Sequence, residues 1–165
     1  MESLPDPEIL LERLAEALRS RLEPGFALVG VHTGGAWLAE RLHRELRPAA
    51  PLGILDISFY RDDFEQIGLH PQVKPSDIPF AVEDHPIVLV DDVLYTGRTV
   101  RAAMNELFDY GRPSRIWLAV LVDRGGRELP IAADFVGATI SLPPEQHVEL
   151  KRNGAGELSL ALNNG

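Results

Sequence analysis

The chain has 165 residues, 25 Asp and Glu against 16 Lys and Arg, a net charge of -9 and no cysteine. That length holds one sizeable core and is short for two domains. The missing cysteines exclude disulfides, thiolate catalysis and cysteine zinc sites, and the acidic balance argues against non-specific nucleic-acid binding. No apolar run approaches a membrane span and no signal-peptide pattern opens the sequence, so a cytoplasmic protein, organised as one domain over 1–165 and away from the membrane, is expected.

Pro5 to Leu22 has helical periodicity. Ile9, Leu10, Leu14, Ala17 and Leu18 fall on one stripe, Asp6 is the cap and Pro7 stands in the first turn. Pro24 and Gly25 end the segment. Phe26 to Val31 is an apolar strand that runs into His32, Thr33, Gly34 and Gly35 before a helix over Ala36 to Leu46. Paired glycines between strand and helix expose backbone N–H groups, which suits either an anion loop or a tight turn. His32 reads as a hydrogen-bonding residue, since no metal constellation accompanies it. Trp37, Leu38, Leu42 and Leu46 are available for packing, while Arg41, Arg44 and Arg47 form a basic stripe interrupted by Glu40 and Glu45. That stripe is either a solvated face or a contact for RNA or a second subunit. Gly53 to Tyr60 is the next strand candidate. The polar stretch Arg61 to Asp84 follows, with three prolines and little periodicity. A connection of that length reads as a loop closing over the site, with or without a short hairpin inside it.

Pro86 to Thr99, P-I-V-L-V-D-D-V-L-Y-T-G-R-T, is the most informative stretch. Ile87 to Val90 predicts a strand buried on both faces, as in a parallel sheet. Asp91 and Asp92 follow directly, and adjacent carboxylates are costly unless a cation or bound hydroxyls share them. Thr96, Gly97, Arg98 and Thr99 then lead into a helix. Strand, loop and helix N-terminus together gather free N–H groups around an anion, with glycine allowing a close turn. No Gly-Lys-Ser/Thr of a nucleotide P-loop occurs, nor the spaced glycines of a dinucleotide fingerprint.

Thr99 to Tyr110 is helical, with Val100, Ala103, Met104, Leu107 and Phe108 directed inward and Gly111, Arg112 and Pro113 as the stop. Arg115 to Val122 is another buried strand, delivering Asp123, Arg124, Gly125, Gly126, Arg127 and Glu128 from its carboxyl end. Asp134 to Ile140 is the last main strand candidate. His147 to Leu150 and Glu157 to Leu162 alternate as a terminal hairpin around Asn153 and Gly154. The pattern predicts a mostly parallel central sheet flanked by helices, with its sites at the carboxyl ends of the strands.

The stretch V-L-V-D-D-V-L-Y-T-G-R-T resembles the signature of type I phosphoribosyltransferases, which bind 5-phosphoribosyl 1-diphosphate (PRPP). With L-D-I-S-F-Y-R-D-D at Leu55 to Asp63, G-R-P-S at Gly111 to Ser114, A-V-L-V-D-R-G-G-R-E-L-P-I at Ala119 to Ile131 and A-D-F-V-G at Ala133 to Gly137, the chain is similar to the PyrR family, pyrimidine operon attenuators with uracil phosphoribosyltransferase activity. The resemblance implies the type I phosphoribosyltransferase fold with a small hood and a flexible loop at 61–84. It implies that Asp91 and Asp92 hold the ribose hydroxyls, with Asp92 assisting as the sugar gains positive charge. Thr96, Gly97, Arg98 and Thr99 would cradle the 5-phosphate. Thr33, Gly34 and Gly35 would form the diphosphate loop, where a strained or cis peptide is common. Tyr60 and Arg61 would stand at the root of the flexible loop, with Arg61 acting in catalysis and on the diphosphate. Asp123 and Arg124 would face the diphosphate, and Phe135, Val136 and Gly137 would belong to the hood that receives the base. Magnesium would enter mainly with the substrate diphosphate, touching Asp91 and Asp92. Uracil, PRPP and UMP are the implied ligands, and a homodimer or homotetramer the implied assembly.

The sequence departs from the family's RNA-binding members. Their diphosphate loop commonly reads Lys-Thr-Arg-Gly where this chain has His32, Thr33, Gly34 and Gly35, and Gly126 and Ala132 replace a histidine and an arginine of their later segment. Phosphate contacts contribute much of nucleic-acid affinity. Arg41, Arg44 and Arg127 remain as candidates for pyrimidine-operon leader RNA. Three functions therefore stand open: a uracil phosphoribosyltransferase, a UMP- or PRPP-sensing RNA regulator, and a phosphoribosyltransferase for a purine base.

Overall fold

The structure, a computed structural model, describes residues 4–57 and 76–164. The helices are α1 (Pro7–Arg21), α2 (Gly34–Leu46) and α3 (Arg98–Phe108). The strands are β1 (Ala27–Val31), β2 (Gly53–Leu55), β3 (Pro86–Leu94), β4 (Arg115–Asp123), β5 (Phe135–Thr139), β6 (Gln146–Arg152) and β7 (Leu158–Asn164). β1 to β5 form one sheet in the order β2-β1-β3-β4-β5, with every pairing parallel. β6 and β7 form a separate antiparallel pair.

Alternation along the strands explains the apolar runs. Leu28 of β1, Val88 and Val90 of β3, and Ala119 and Leu121 of β4 join the core under α1 and α2. Val29, Ile87, Leu89, Leu118 and Val120, one residue out of phase, join the core under α3. Helices cover both faces, so successive residues are buried on opposite sides and no polar position interrupts the strand. Val148, Leu150 and Leu158 of the β6–β7 pair join the first core, which fixes that small sheet to the body.

Particular expectations shift. Asp6 caps α1 as expected, its Oδ1 accepting the Glu8 N–H at 3.0 Å. The buried stripe, however, is Leu10, Leu11, Leu14, Ala15 and Leu18, and Ile9 is 48% exposed. Phe108, expected inside, is exposed at the end of α3. β3 does not stop before the acidic pair: it continues through Asp91 and Asp92 to Leu94, paired with β4 as far as Asp123. Of the stretch 61–84, residues 61–75 lie outside the described residues. Its far end is anchored, with Asp77 exchanging backbone hydrogen bonds with Ile54 at 2.8 Å and Ser76 Oγ donating to Glu106 Oε1 at 2.6 Å.

Candidate active site

The carboxyl ends of β1 and β3 meet the N-terminus of α2 and the β6 strand around a cavity of about 380 Å³. Its walls are His32, Thr33, Gly34, Trp37, Asp91, Asp92, Val93, Thr99, Glu149 and Leu150. A smaller cavity of about 100 Å³ continues beside it, bounded by Asp91, Val93 and the loop Tyr95, Thr96 and Gly97 with the first turn of α3. The two expected anion loops and the acidic pair therefore share one site.

Asp91 is buried, with 4% of its surface exposed, and its Oδ1 accepts the Asp92 N–H at 2.9 Å. Asp92 Oδ1 in turn accepts the Val93 N–H at 2.8 Å. These backbone bonds fix two adjacent carboxylates at the cavity wall. The peptide between His32 and Thr33 is cis, as the resemblance implies, and His32 Nδ1 lies 2.9 Å from Thr33 Oγ1. α2 opens with no side-chain cap at Thr33, leaving its first N–H groups to whatever occupies the cavity. Gly34 lies against Asp92 so closely that a Cβ would overlap the carboxylate. The glycines thus bring the positive end of α2 onto the acidic pair.

In the second loop, Gly97 takes φ 96° as the N-cap of α3, a left-handed conformation that favours glycine. The Arg98 N–H donates to Thr96 Oγ1 at 3.2 Å. Thr99 lines both cavities. The Arg98 side chain, expected in the cradle, turns outward: its Nε donates to Glu128 at 2.8 Å and it is largely exposed. Arg98 contributes backbone, not guanidinium.

Several site expectations are corrected. Asp123 and Arg124 line neither cavity. Burial acts to raise the Asp123 carboxyl, but the hydrogen bonds from Arg127 and the Gly125 N–H outweigh it and hold the group below the usual carboxylate range. Arg124 is buried and donates to the carbonyls of Gln146 and Pro143. Phe135, Val136 and Gly137 are not hood residues: they are β5 of the main sheet, where Phe135 is buried against the α1 core under the Arg21 guanidinium. The cover over the cavity is β6, through Glu149 and Leu150. Among the arginines assigned to RNA, Arg41 pairs with Glu8 at 2.6 Å. It lines a groove that also carries Glu12, Glu16 and Glu45. Arg127 donates to Ile131 O, Tyr95 O and Asp123 Oδ2. Only Arg44 of these is exposed. Arg61 lies outside the described residues.

Trp37, Glu149 and Leu150 escaped the sequence reading. Trp37 carried a signal: it follows Gly34 by three positions and so shares its helix face. Glu149 and Leu150 carried none, because only the seating of β6 over the sheet brings them to the site.

No group of three or more His, Asp or Glu able to hold a metal ion exists among the described residues. Asp91 and Asp92 are the described carboxylates that would hold a magnesium ion at this cavity, a cation that takes one or two carboxylates when it binds with phosphates. No described helix is long and apolar enough to cross a membrane.

Comparison with known proteins agrees with this geometry. The family model for the phosphoribosyl transferase domain matches residues 4–152. The chain is 57% identical over 152 residues to the bifunctional protein PyrR of Pseudomonas aeruginosa, covering 90% of this chain and 89% of that one. It is 57% identical over 143 residues to the PyrR of Nitrosococcus oceani, covering 86% and 78%. Among solved structures it is similar to a hypoxanthine-guanine phosphoribosyltransferase from Bacillus anthracis, with a TM-score of 0.65 at 20% identity over 86% of this chain and 82% of that one. That last likeness is one of fold. The parallel sheet, the cavity joining two helix N-termini to paired carboxylates, and these identities together place the chain in the PyrR family of phosphoribosyl transferase domain proteins.

Proposed function

We propose that the protein transfers the phosphoribosyl group of PRPP to uracil, giving UMP and diphosphate. The observation that carries this reading is the single cavity shared by Asp91, Asp92, Thr33, Gly34 and Thr99, opening beside the Thr96–Gly97 loop. The small cavity fits the 5-phosphate, held by the first N–H groups of α3 and the threonine hydroxyls. Asp91 and Asp92 take the ribose hydroxyls, and Thr33, Gly34 and Gly35 the diphosphate. As the anomeric carbon gains positive charge, Asp92 is the fixed negative group beside it, and such prepositioned charge is often the largest catalytic term. Magnesium, when bound with PRPP through its diphosphate and this acidic pair, would neutralise part of the leaving group's charge. Among the described residues that line the larger cavity there is no Lys or Arg, so the donors they offer a polyanion are N–H and hydroxyl groups.

In this reading the chain is one cytoplasmic domain, and the protein assembles as a homodimer or homotetramer. The base meets β6. An assay of uracil, hypoxanthine, guanine and xanthine with PRPP tests the reading: UMP formation is expected, and turnover of a purine alone would replace uracil by that base.

A regulatory second role is the other reading, favoured by the name "bifunctional" of the relatives. The guanidinium groups of Arg41 and Arg127 are engaged, and the groove that Arg41 lines carries four glutamates, so of the three arginines assigned to RNA only Arg44 is exposed. Binding to the leader transcript at about 0.15 M salt is therefore expected to be weak and equal to that of scrambled RNA. Sequence-specific binding strengthened by UMP would restore the regulator.

A further inference from the structure

Arg124 is a buried cation, only 5% exposed, and no ion pair to it occurs among the described residues. Its Nη1 donates to the Gln146 carbonyl at 2.6 Å and its Nη2 to the Pro143 carbonyl at 3.2 Å. Its Nε is buried without a partner among the described residues. The guanidinium carbon stands 3.9 Å from the centre of the Tyr95 ring, and the Arg124 N–H donates to the Leu94 carbonyl at 3.0 Å. Burying a charge costs several kcal/mol by usual estimates, and a well-packed apolar side chain commonly serves stability as well or better. What Arg124 provides that an apolar residue would not is a rigid planar bridge between two carbonyls and an aromatic face.

The two ends of that bridge belong to different parts of the site. Tyr95 begins the loop that bounds the phosphate cavity, and its carbonyl is held by Arg127 Nη1 at 2.8 Å. At position 126 a glycine with φ 80° lets the chain pass where a Cβ would overlap the Tyr95 ring. Tyr95 is thus held on its ring and its backbone together. Pro143 and Gln146 lead into β6, and Glu149 and Leu150 of β6 cover the larger cavity.

We propose that Arg124 is a positioning residue that couples the phosphate loop to the cover over the base, acting through the face of Tyr95. Occupation of the small cavity fixes Tyr95 to Gly97, Tyr95 fixes the guanidinium, and the guanidinium fixes the entry to β6, so that the base finds Glu149 and Leu150 already set. The proposal rests on the phosphoribosyltransferase reading and adds to it a route between the two halves of the substrate site.

The experiment compares the parent with Arg124→Met, Arg124→Lys and Tyr95→Leu. Backbone hydrogen exchange over 143–152 is followed with and without PRPP and magnesium, and KM is measured separately for uracil and PRPP. In the parent, PRPP without base is expected to slow exchange over 143–152 by about fivefold or more, in the range usual for coupled sites. In Arg124→Met, PRPP affinity by calorimetry should stay within about threefold, that protection should vanish, and the KM for uracil should rise about tenfold; in Tyr95→Leu, held at saturating PRPP, the protection should vanish as well. Arg124→Lys, unable to reach both carbonyls, should resemble Met. Retained protection with an unchanged uracil KM in the Arg124 variants would overturn the coupling, as would equal loss of PRPP and uracil binding in them. Should Arg124→Met fail to fold, Arg124→Lys decides by the same readouts. PRPP bound by the parent with no protection over 143–152 would overturn the coupling and leave the enzyme reading standing. A parent that bound no PRPP would overturn both.

Discussion

Gly35 lies so close to Val90 that a Cβ on it would overlap the Val90 carbonyl oxygen and stand 3.0 Å from the Asp91 Cα. The obstacle is backbone of a central strand, which no rotamer change relieves. Gly35→Ala should therefore push α2 away from β3 at the acidic pair. Overpacking of this kind typically costs about 1–3 kcal/mol. A urea melt should show the loss, and PRPP affinity should fall further than stability does, because the α2 N–H groups move off the site. Unchanged affinity in a folded variant would separate the glycine from the diphosphate.

Asp92→Asn tests the developing charge. Asp92 accepts the Val93 N–H through one oxygen and lines the cavity, so Asn keeps the shape and removes the charge. A fall in kcat/KM of about 10²–10³-fold is expected, with the melting temperature little changed, since groups of this type commonly contribute that much. Steady-state rates within about threefold of the parent's would remove Asp92 from catalysis.

Gly97→Val meets two obstacles. The residue sits at φ 96°, and a Cβ there would stand 3.0 Å from the Ile131 side chain. The loop must move, and the phosphate cavity moves with it. Calorimetry should show PRPP and UMP binding lost together, because they share the 5-phosphate; normal UMP affinity would place the phosphate elsewhere.

The Asp123–Arg127 pair carries a pH signature. The folded state lowers the Asp123 carboxyl, the hydrogen bond from Arg127 prevailing over burial. A group lowered in this way contributes stability that is fully present above its unfolded pKa and is lost as pH falls through the folded value. Asp123→Asn should therefore be less stable than the parent at pH 7, by about 1.5–3 kcal/mol for a bond to a charged group. The gap should narrow below the ordinary carboxylate range. Urea melts at a series of pH values check this; a gap that stayed constant into acid would assign the loss to packing.

The sequence by itself determined the parallel sheet and the chemistry of its edge. Strands buried on both faces must be apolar at every position, so Ile87–Val90 and Ile116–Val122 announced themselves. Glycine beside threonine at a strand-to-helix junction suits an anion loop or a tight turn, so Thr33–Gly35 and Thr96–Thr99 were legible as junctions to examine, and Asp91–Asp92 as an acidic pair beside them. The rotation of α1 was not, because Ile9 and Leu11 are equally apolar and only the packing of α1 on α2 and the sheet buries Leu11. Arginine roles were the least legible. Guanidinium chemistry is the same on phosphate, carboxylate or carbonyl, and it was the folded neighbours that assigned Arg41 to Glu8, Arg98 to Glu128, Arg127 to the Tyr95 loop and Arg124 to the approach to β6. The cover of the site was likewise decided in three dimensions. Asp134–Ile140 was legible as a main strand and His147–Leu150 as part of a hairpin, and pairing with β4 keeps Phe135–Gly137 in the main sheet; only the seating of β6 on the body brings Glu149 to the cavity.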